Sequence, residues 1–294
     1  MRAINAVIMA AGASSRFAPL SYEKPKGLIQ VRGEVLIERQ INQLKDAGIN
    51  EIYVVTGYKA SAFDYLSGKF GVKLIENREY KERNNNSSIK AAESVLGDTY
   101  VCSADNYFSQ NPFLEKPETA YYSAVYSHGT TDEWCIDADE EGNITGVTVG
   151  GENAWYMLGH TFWDRKFSNA FISILDDEYD KSETAGKLWE TIFIEHLDQL
   201  HMKMRKYPDD YIFEFDTLDE LRTFDGSYMK DTRSEILKTL ATELGCSEEN
   251  MNSFRCIKGG DAEAIGFSFR CGNEIYRFFY ENGKLENVRD TAAY

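Results

Sequence analysis

Residues 5–27 read NAVIMAAGASSRFAPLSYEKPKG, and the fold is decided at its start. Asn5–Met9 is an apolar run with no polar alternation, the pattern of a strand covered on both faces of a parallel sheet. It flows into Ala10-Ala11-Gly12, where the chain must turn. Downstream, Val35–Ala47 places apolar residues at helical spacing and Gly48 stops the helix. Glu51–Thr56 predicts a strand, Ala60–Phe70 a helix, Val72–Glu76 a strand, Ser88–Leu96 a helix and Thr99–Ser103 a strand. Such regular strand–helix alternation predicts a Rossmann-like α/β fold, a mostly parallel sheet with right-handed crossovers. Ligands of these sheets sit beyond the carboxyl ends of the strands.

After residue 103 the rhythm changes. Shorter strands are expected at Thr119–Tyr126, Glu133–Asp137, Ile144–Val149 and Trp155–Thr161, with a turn at Glu141-Gly142-Asn143. Helices are expected at Asp164–Leu175 and Ala185–Leu200, then strands at Met202–Lys206 and Tyr211–Phe215. Asp216–Phe224 reads as a helix opened by an acidic cap. This half is expected to cover the open edge of the sheet. A second unit is expected from about Ser227, giving domains of 1–226 and 227–294. Its parts are a helix at Thr232–Leu244 ended by Gly245, and a small antiparallel sheet from Asn252–Lys258, Ala264–Arg270 and Glu274–Tyr280, with turns at Gly259-Gly260 and Cys271-Gly272-Asn273.

The chain has 294 residues, of which 43% are hydrophobic and 13% aromatic, enough for a packed core. No apolar run approaches the ~18 residues of a membrane span, and the opening segment lacks the features of a signal peptide, so a cytoplasmic protein is expected. Five cysteines, Cys102, Cys135, Cys246, Cys256 and Cys271, make an odd set without C-x-x-C spacing, and the four histidines show no metal spacing. A net charge of −16 repels nucleic-acid backbones. Any nucleotide substrate therefore has to be held by a local cationic patch.

That patch is legible. Small residues directly after a strand, Ala10, Ala11, Gly12, Ala13 and Ser14, let backbone N–H groups approach a polyphosphate. Arg16 and Lys26 place positive charge where negative charge develops on phosphorus. The segments A-A-G-x-x-S-R-F-x-P-L and K-P-K-G-L resemble the N-terminal signature of the nucleotidyltransferases that make NDP-sugars and NDP-alcohols, whose sheet is GT-A-like. Asn84-Asn85-Asn86-Ser87-Ser88, Ser103-Ala104-Asp105-Asn106-Tyr107, Asp132-Glu133-Trp134 and Glu214-Phe215-Asp216 are similar to the later motifs of the phosphocholine cytidylyltransferase group, in the same order. The resemblance covers about residues 3–226. It departs at Ser14, where many relatives have a second glycine.

The resemblance implies CTP and Mg²⁺, with Asp105 and Asp216 as metal ligands. Both follow expected strands, and paired carboxylates suit an ion that bridges phosphate oxygens. It places Gly57, Tyr58, Asn84, Asn85 and Ser88 near the base and ribose. For the acceptor it favours Trp134 and Trp189, with Glu133, Tyr156 and Glu190 beside them. Aromatic faces attract quaternary ammonium groups, which puts phosphocholine first and 2-aminoethylphosphonate second. Acceptor phosphate is ionised near neutral pH, so no general base is required. A sugar-1-phosphate transferase or a non-catalytic nucleotide-binding module are weaker readings. The tail segments Ile257-Lys258-Gly259-Gly260, Phe267-Ser268-Phe269 and Glu274–Phe278 resemble the start of a choline-kinase N-lobe. The chain after them has no room for a kinase catalytic loop. A remnant, a dimerisation or packing element, and a truncated stub all stay open for the tail, as does a homodimer.

Overall fold

A computed structural model describes residues 2–259 and 264–288. The expected turn at Gly259-Gly260 therefore runs out of the described residues at Gly260. The chain forms two compact units that interleave in sequence: Met1–Gly12 with Leu36–Glu214, and Ala13–Val35 with Phe215–Tyr294. These units divide the chain differently from the expected 1–226 and 227–294. The loop after the first strand groups with the C-terminal segment, because its hydrogen bonds run to residues beyond 215.

The first unit is built on a sheet of nine strands among the described residues. Its elements are β1 (Asn5–Ala10), α1 (Leu36–Asp46), β2 (Ile52–Thr56), β3 (Lys73–Glu76), α2 (Asn86–Ala91), β4 (Thr99–Ser103), β5 (Tyr121–Tyr126), β6 (Thr130–Ala138), β7 (Ile144–Glu152), β8 (Trp155–Trp163), α3 (Arg165–Glu178), α4 (Trp189–Glu195) and β9 (Lys203–Lys206). The spatial order is β7-β6-β8-β4-β1-β2-β3, with β5 pairing β8 and β9. β1 runs parallel to both β2 and β4, in register Ala6 to Ile52 and Ala6 to Tyr100. The apolar run therefore lies in the middle of the sheet, as its lack of alternation requires. Ala6, Val7 and Ile8 are fully buried.

The later strands do more than cover an edge. β8 pairs antiparallel with β4, so β5 to β9 extend the same sheet. A core of Trp163, Phe167, Phe171, Trp189, Ile192 and Phe193 packs α3 and α4 on this half. The expected helix over Ala185–Leu200 is shorter, because the carbonyls of Thr184, Ala185, Gly186 and Lys187 accept hydrogen bonds from Asn84 and Asn86 instead of continuing a helix.

The second unit contains α5 (Leu218–Phe224), α6 (Glu235–Leu244), β10 (Met251–Lys258), β11 (Ala264–Cys271), β12 (Glu274–Phe279) and β13 (Lys284–Val288). β10 to β13 form an antiparallel meander, one strand longer than expected. Gly245 ends α6 in the left-handed conformation, as expected of that glycine. Arg222 is buried and donates to the carbonyls of Tyr228, Met251 and Glu248, tying α5 to the meander. No helix among the described residues is long and apolar enough to cross a membrane.

Candidate active site

The cationic residues lie in the second unit. After Gly12 the chain enters a left-handed turn at Ser14 (φ 49°, ψ 47°), and Ser15–Phe17 form a short helical turn that buries Phe17. Lys26 begins another short turn, Lys26–Leu28, and is only 5% exposed. Its Nζ lies 5.8 Å from the Phe17 ring centroid and 3.6 Å from Asp216 Oδ1. Arg16 reaches the other oxygen, with Nη1 2.8 Å from Oδ2. One carboxylate thus stands between a buried and an exposed cation.

Asp216 was expected to cap α5. Thr217 is the cap instead, in a reciprocal capping box with Glu220. Glu220 also accepts the Asp216 backbone N–H at 2.7 Å. The box consumes the orphan donors of the helix start, so the Asp216 carboxylate is left to face Arg16 and Lys26.

The first unit carries the other expected nucleotide residues. Ala10, Ala11 and Gly12 leave the end of β1, and the Ala11 carbonyl accepts the Tyr58 N–H at 2.9 Å. Gly57 has a steric reason to be glycine, since a Cβ there would stand 2.8 Å from Tyr80 Cγ. Ala104 donates to the Met9 carbonyl at 3.0 Å, which sets half-buried Asp105 just past the carboxyl end of β4, beside β1. Asn106, fully buried, donates to Glu214 Oε2 at 3.3 Å.

Asn84, Asn85 and Ser88 are anchored within this unit. The Asn84 amide donates to the Gly186 carbonyl, and Ser88 accepts from buried Asn77. Asn85 is committed on both sides of its amide. Its Oδ1 accepts the Trp189 N–H at 2.7 Å and its Nδ2 donates to Glu190 Oε2 at 3.0 Å. Asn84 is the exposed member of the three.

The expected acceptor residues are divided by the pleat of the sheet. Tyr156 pairs with Cys135 across β8 and β6 and shares its face, which Glu133 also takes by alternation. Trp134 turns the other way and packs half-buried on the core beneath α3 and α4. Trp189 is 1% exposed, stacked on Tyr122 at 5.8 Å and edge-on to Trp163 at 5.1 Å. Trp155 takes the Lys206 ammonium 4.9 Å from its centroid.

Burial pushes the Glu190 carboxyl up to about 7, opposed by its hydrogen bonds from Asn85 and Tyr122. Among the described residues no cation faces it. Burial and then Glu190 and Glu214 push the Tyr122 hydroxyl well above its ordinary value. Tyr156 is raised by burial and by Glu133, Asp209 and Glu214. Carboxylates therefore accumulate around two tyrosines. Tyr122 was missed in the sequence because nothing in YYSAVY marks one tyrosine over another. A further group, Glu178, Glu195 and His196, comes together only in the fold. Lys181 lies 3.4 Å from Glu178 and Lys187 lies 2.6 Å from Glu195, so its charge is already balanced locally.

A central parallel strand ends in a small-residue turn, and in the other unit a buried lysine and an arginine meet one carboxylate. Residues 6–126 match the MobA-like NTP transferase domain family. The chain is 31% identical over 219 residues to a choline-phosphate cytidylyltransferase of Streptococcus pneumoniae, covering 74% of this chain and 96% of that protein. It is 36% identical over 234 residues to a 2-aminoethylphosphonate cytidylyltransferase of Lancefieldella rimae, covering 78% and 95%. A solved structure of the CTP:phosphocholine cytidylyltransferase of Streptococcus pneumoniae superposes with a TM-score of 0.74 over 77% of this chain and 99% of that one. The chain belongs to this family of cytidylyltransferases.

Proposed function

We propose that the chain transfers CMP from CTP to a small amine carrying a phosphate or phosphonate, with 2-aminoethylphosphonate ahead of phosphocholine. The observation that carries this order is the placement of the tryptophans. A quaternary ammonium has no N–H and is held by aromatic faces, whereas a primary ammonium has three donors that need acceptors. Trp163 and Trp189 are committed to the core and Trp155 to Lys206. Glu133, Glu190 and Glu214 supply carboxylate around Tyr122 and Tyr156. Phosphocholine keeps one specific support, because half-buried Trp134 still offers aromatic surface on the core side of the sheet.

In this reading an oxygen of the acceptor's phosphate or phosphonate attacks the α-phosphorus of CTP and pyrophosphate leaves. The nucleophile is already anionic, so catalysis rests on positioning and charge neutralisation. Lys26 is desolvated, which strengthens its interaction with charge developing on phosphorus. Arg16 is 75% exposed and free to follow the leaving group. Asp216 holds both cations in this structure. Asp216 and Asp105 are the carboxylates that would hold Mg²⁺ in this proposal. Bound Mg²⁺ would neutralise phosphate charge.

Pyrophosphate release from CTP, measured with each acceptor, tests the reading. We expect kcat/KM for 2-aminoethylphosphonate to exceed that for phosphocholine by about tenfold. A higher value for phosphocholine reverses the order. Turnover only with a sugar 1-phosphate overturns the proposal.

A further inference from the structure

The loop that carries Arg16 and Lys26 has little structure of its own. Between Ala13 and Val35 it holds three short turns and a two-residue hairpin, Gln30–Val31 against Glu34–Val35. Its shape comes from residues far along the chain. The Tyr22 ring stacks on Tyr280, just past β12, with centroids 3.6 Å apart and planes 4° from parallel. Next in sequence, Glu23 caps α6: its Oε1 accepts the N–H groups of Glu235 at 2.8 Å and Ile236 at 3.1 Å. A carboxylate at a helix N-terminus is well placed for those orphan donors.

On the far side of Lys26 the Gln30 carbonyl accepts the Tyr228 hydroxyl at 2.5 Å and the Arg233 guanidinium at 3.0 Å. The Arg32 N–H donates to Asp225 Oδ2 at 2.7 Å, and its guanidinium lies 3.8 Å over the Phe224 ring. β10 lies against the Ser15–Phe17 turn, which holds Arg16. Lys26 thus sits between two anchored points, Tyr22-Glu23 and Gln30-Arg32. Most of these anchors come from residues 227–288. About a quarter of this chain lies outside the alignment with the pneumococcal cytidylyltransferase structure, although 99% of that protein is covered.

We propose that the C-terminal segment is a built-in brace of the nucleotide loop, with Tyr280 and Tyr228 as positioning residues that fix where Arg16 and Lys26 meet the triphosphate. The proposal rests on the reading of that loop as the triphosphate grip. A brace of this kind acts on CTP and not on the acceptor. Loss of the Tyr22 stack lets the loop sample other conformations, and the competent fraction scales the apparent affinity. A stacked aromatic pair contributes enough to change that fraction by about three- to tenfold.

The test is steady-state kinetics on full-length Tyr280→Ala and Tyr228→Phe, with both substrates varied. For Tyr280→Ala the KM for CTP should rise about three- to tenfold while the KM for 2-aminoethylphosphonate or phosphocholine stays within about twofold. Tyr280→Phe, which keeps the stack, should restore the native KM. Tyr228→Phe removes the hydroxyl that donates to the Gln30 carbonyl and accepts from Arg233, without adding volume, and should raise the KM for CTP by about twofold to fivefold. It carries the test alone should Tyr280→Ala not fold. An unchanged KM for CTP, or equal rises for both substrates, overturns the brace. Lys26→Ala separates the two layers. If it turns over normally the loop itself is misread. If it is inactive while the tyrosine variants behave as wild type, only the brace falls.

Discussion

Two charged clusters in this molecule handle their charge in opposite ways. Around Asp216 the cations and the carboxylate are balanced: Arg16 at 2.8 Å and Lys26 at 3.6 Å share one acid. Around Glu190 the acid has no cation among the described residues, and its partners are the neutral Asn85 and Tyr122. A balanced cluster exchanges partners when a polyanion arrives. An unbalanced, buried carboxylate holds its proton more tightly until a cation arrives. The first suits a triphosphate and the second an ammonium group.

The sharpest way to break this contrast is to remove the buried cation. Lys26→Ala should lower kcat by about 10²- to 10³-fold, the scale of one preorganised electrostatic contact in a desolvated site. Far-ultraviolet circular dichroism should be unchanged, because Asp216 keeps Arg16. Normal turnover in a folded Lys26→Ala enzyme would sink the role assigned to the balanced cluster.

Removing the unbalanced acid should act on the other substrate. Glu190→Gln keeps the hydrogen-bond shape and loses the charge. The KM for the acceptor should rise about tenfold with the KM for CTP unchanged. The native enzyme should also bind acceptor more tightly as pH rises through about 7, where Glu190 ionises, and this dependence should flatten in Glu190→Gln. Stability should run the other way. The folded carboxyl binds its proton more tightly than the unfolded one, so its contribution is full below the ordinary value of 4.5 and is lost as pH rises towards about 7. Thermal melts of the two proteins across that window check the sign, and parallel curves would remove Glu190 from the account.

The residues of both clusters were named in the sequence, but their pairings were not: Asp216 was read as a metal ligand with Asp105, and Glu190 as a carboxylate beside Trp189. Ala10–Gly12, Arg16, Lys26 and Asp216 stand in segments whose residue types have few other uses at the end of a buried strand. Asp216 does not cap the helix, since Thr217 stands one residue on and does that work. Trp189 was favoured as an acceptor residue by the family resemblance, and the fold buries it to 1% exposed. Its burial is set by Tyr122, Trp163 and Phe171, which lie 67, 26 and 18 positions away in sequence. The shortened helix before Trp189 follows from Asn84 and Asn86, which no local pattern connects with residues 184–187. β13 was missed because Lys284–Val288 reads KLENV, too polar to signal a strand by itself.

The smallest expected effect concerns Ser14. Ser14 adopts φ 49°, where an L-residue is strained by roughly 1–2 kcal/mol and glycine is not. Glycine also loses more freedom on folding, by roughly 0.5–1 kcal/mol. The two terms oppose each other and nearly cancel, so Ser14→Gly should move stability by no more than about 1 kcal/mol. The turn itself is kept, since the Ser14 carbonyl still accepts the Phe17 N–H at 2.9 Å. The same geometry then presents the neighbouring N–H groups, and the KM for CTP should stay within about twofold. A tenfold rise in that KM would mean that the Ser14 hydroxyl, and not the backbone, contacts the nucleotide. Ser14→Val is the matching probe. A β-branched side chain is a poor occupant of the left-handed region, so this variant should lose stability and CTP affinity together, by about 1–2 kcal/mol in the former.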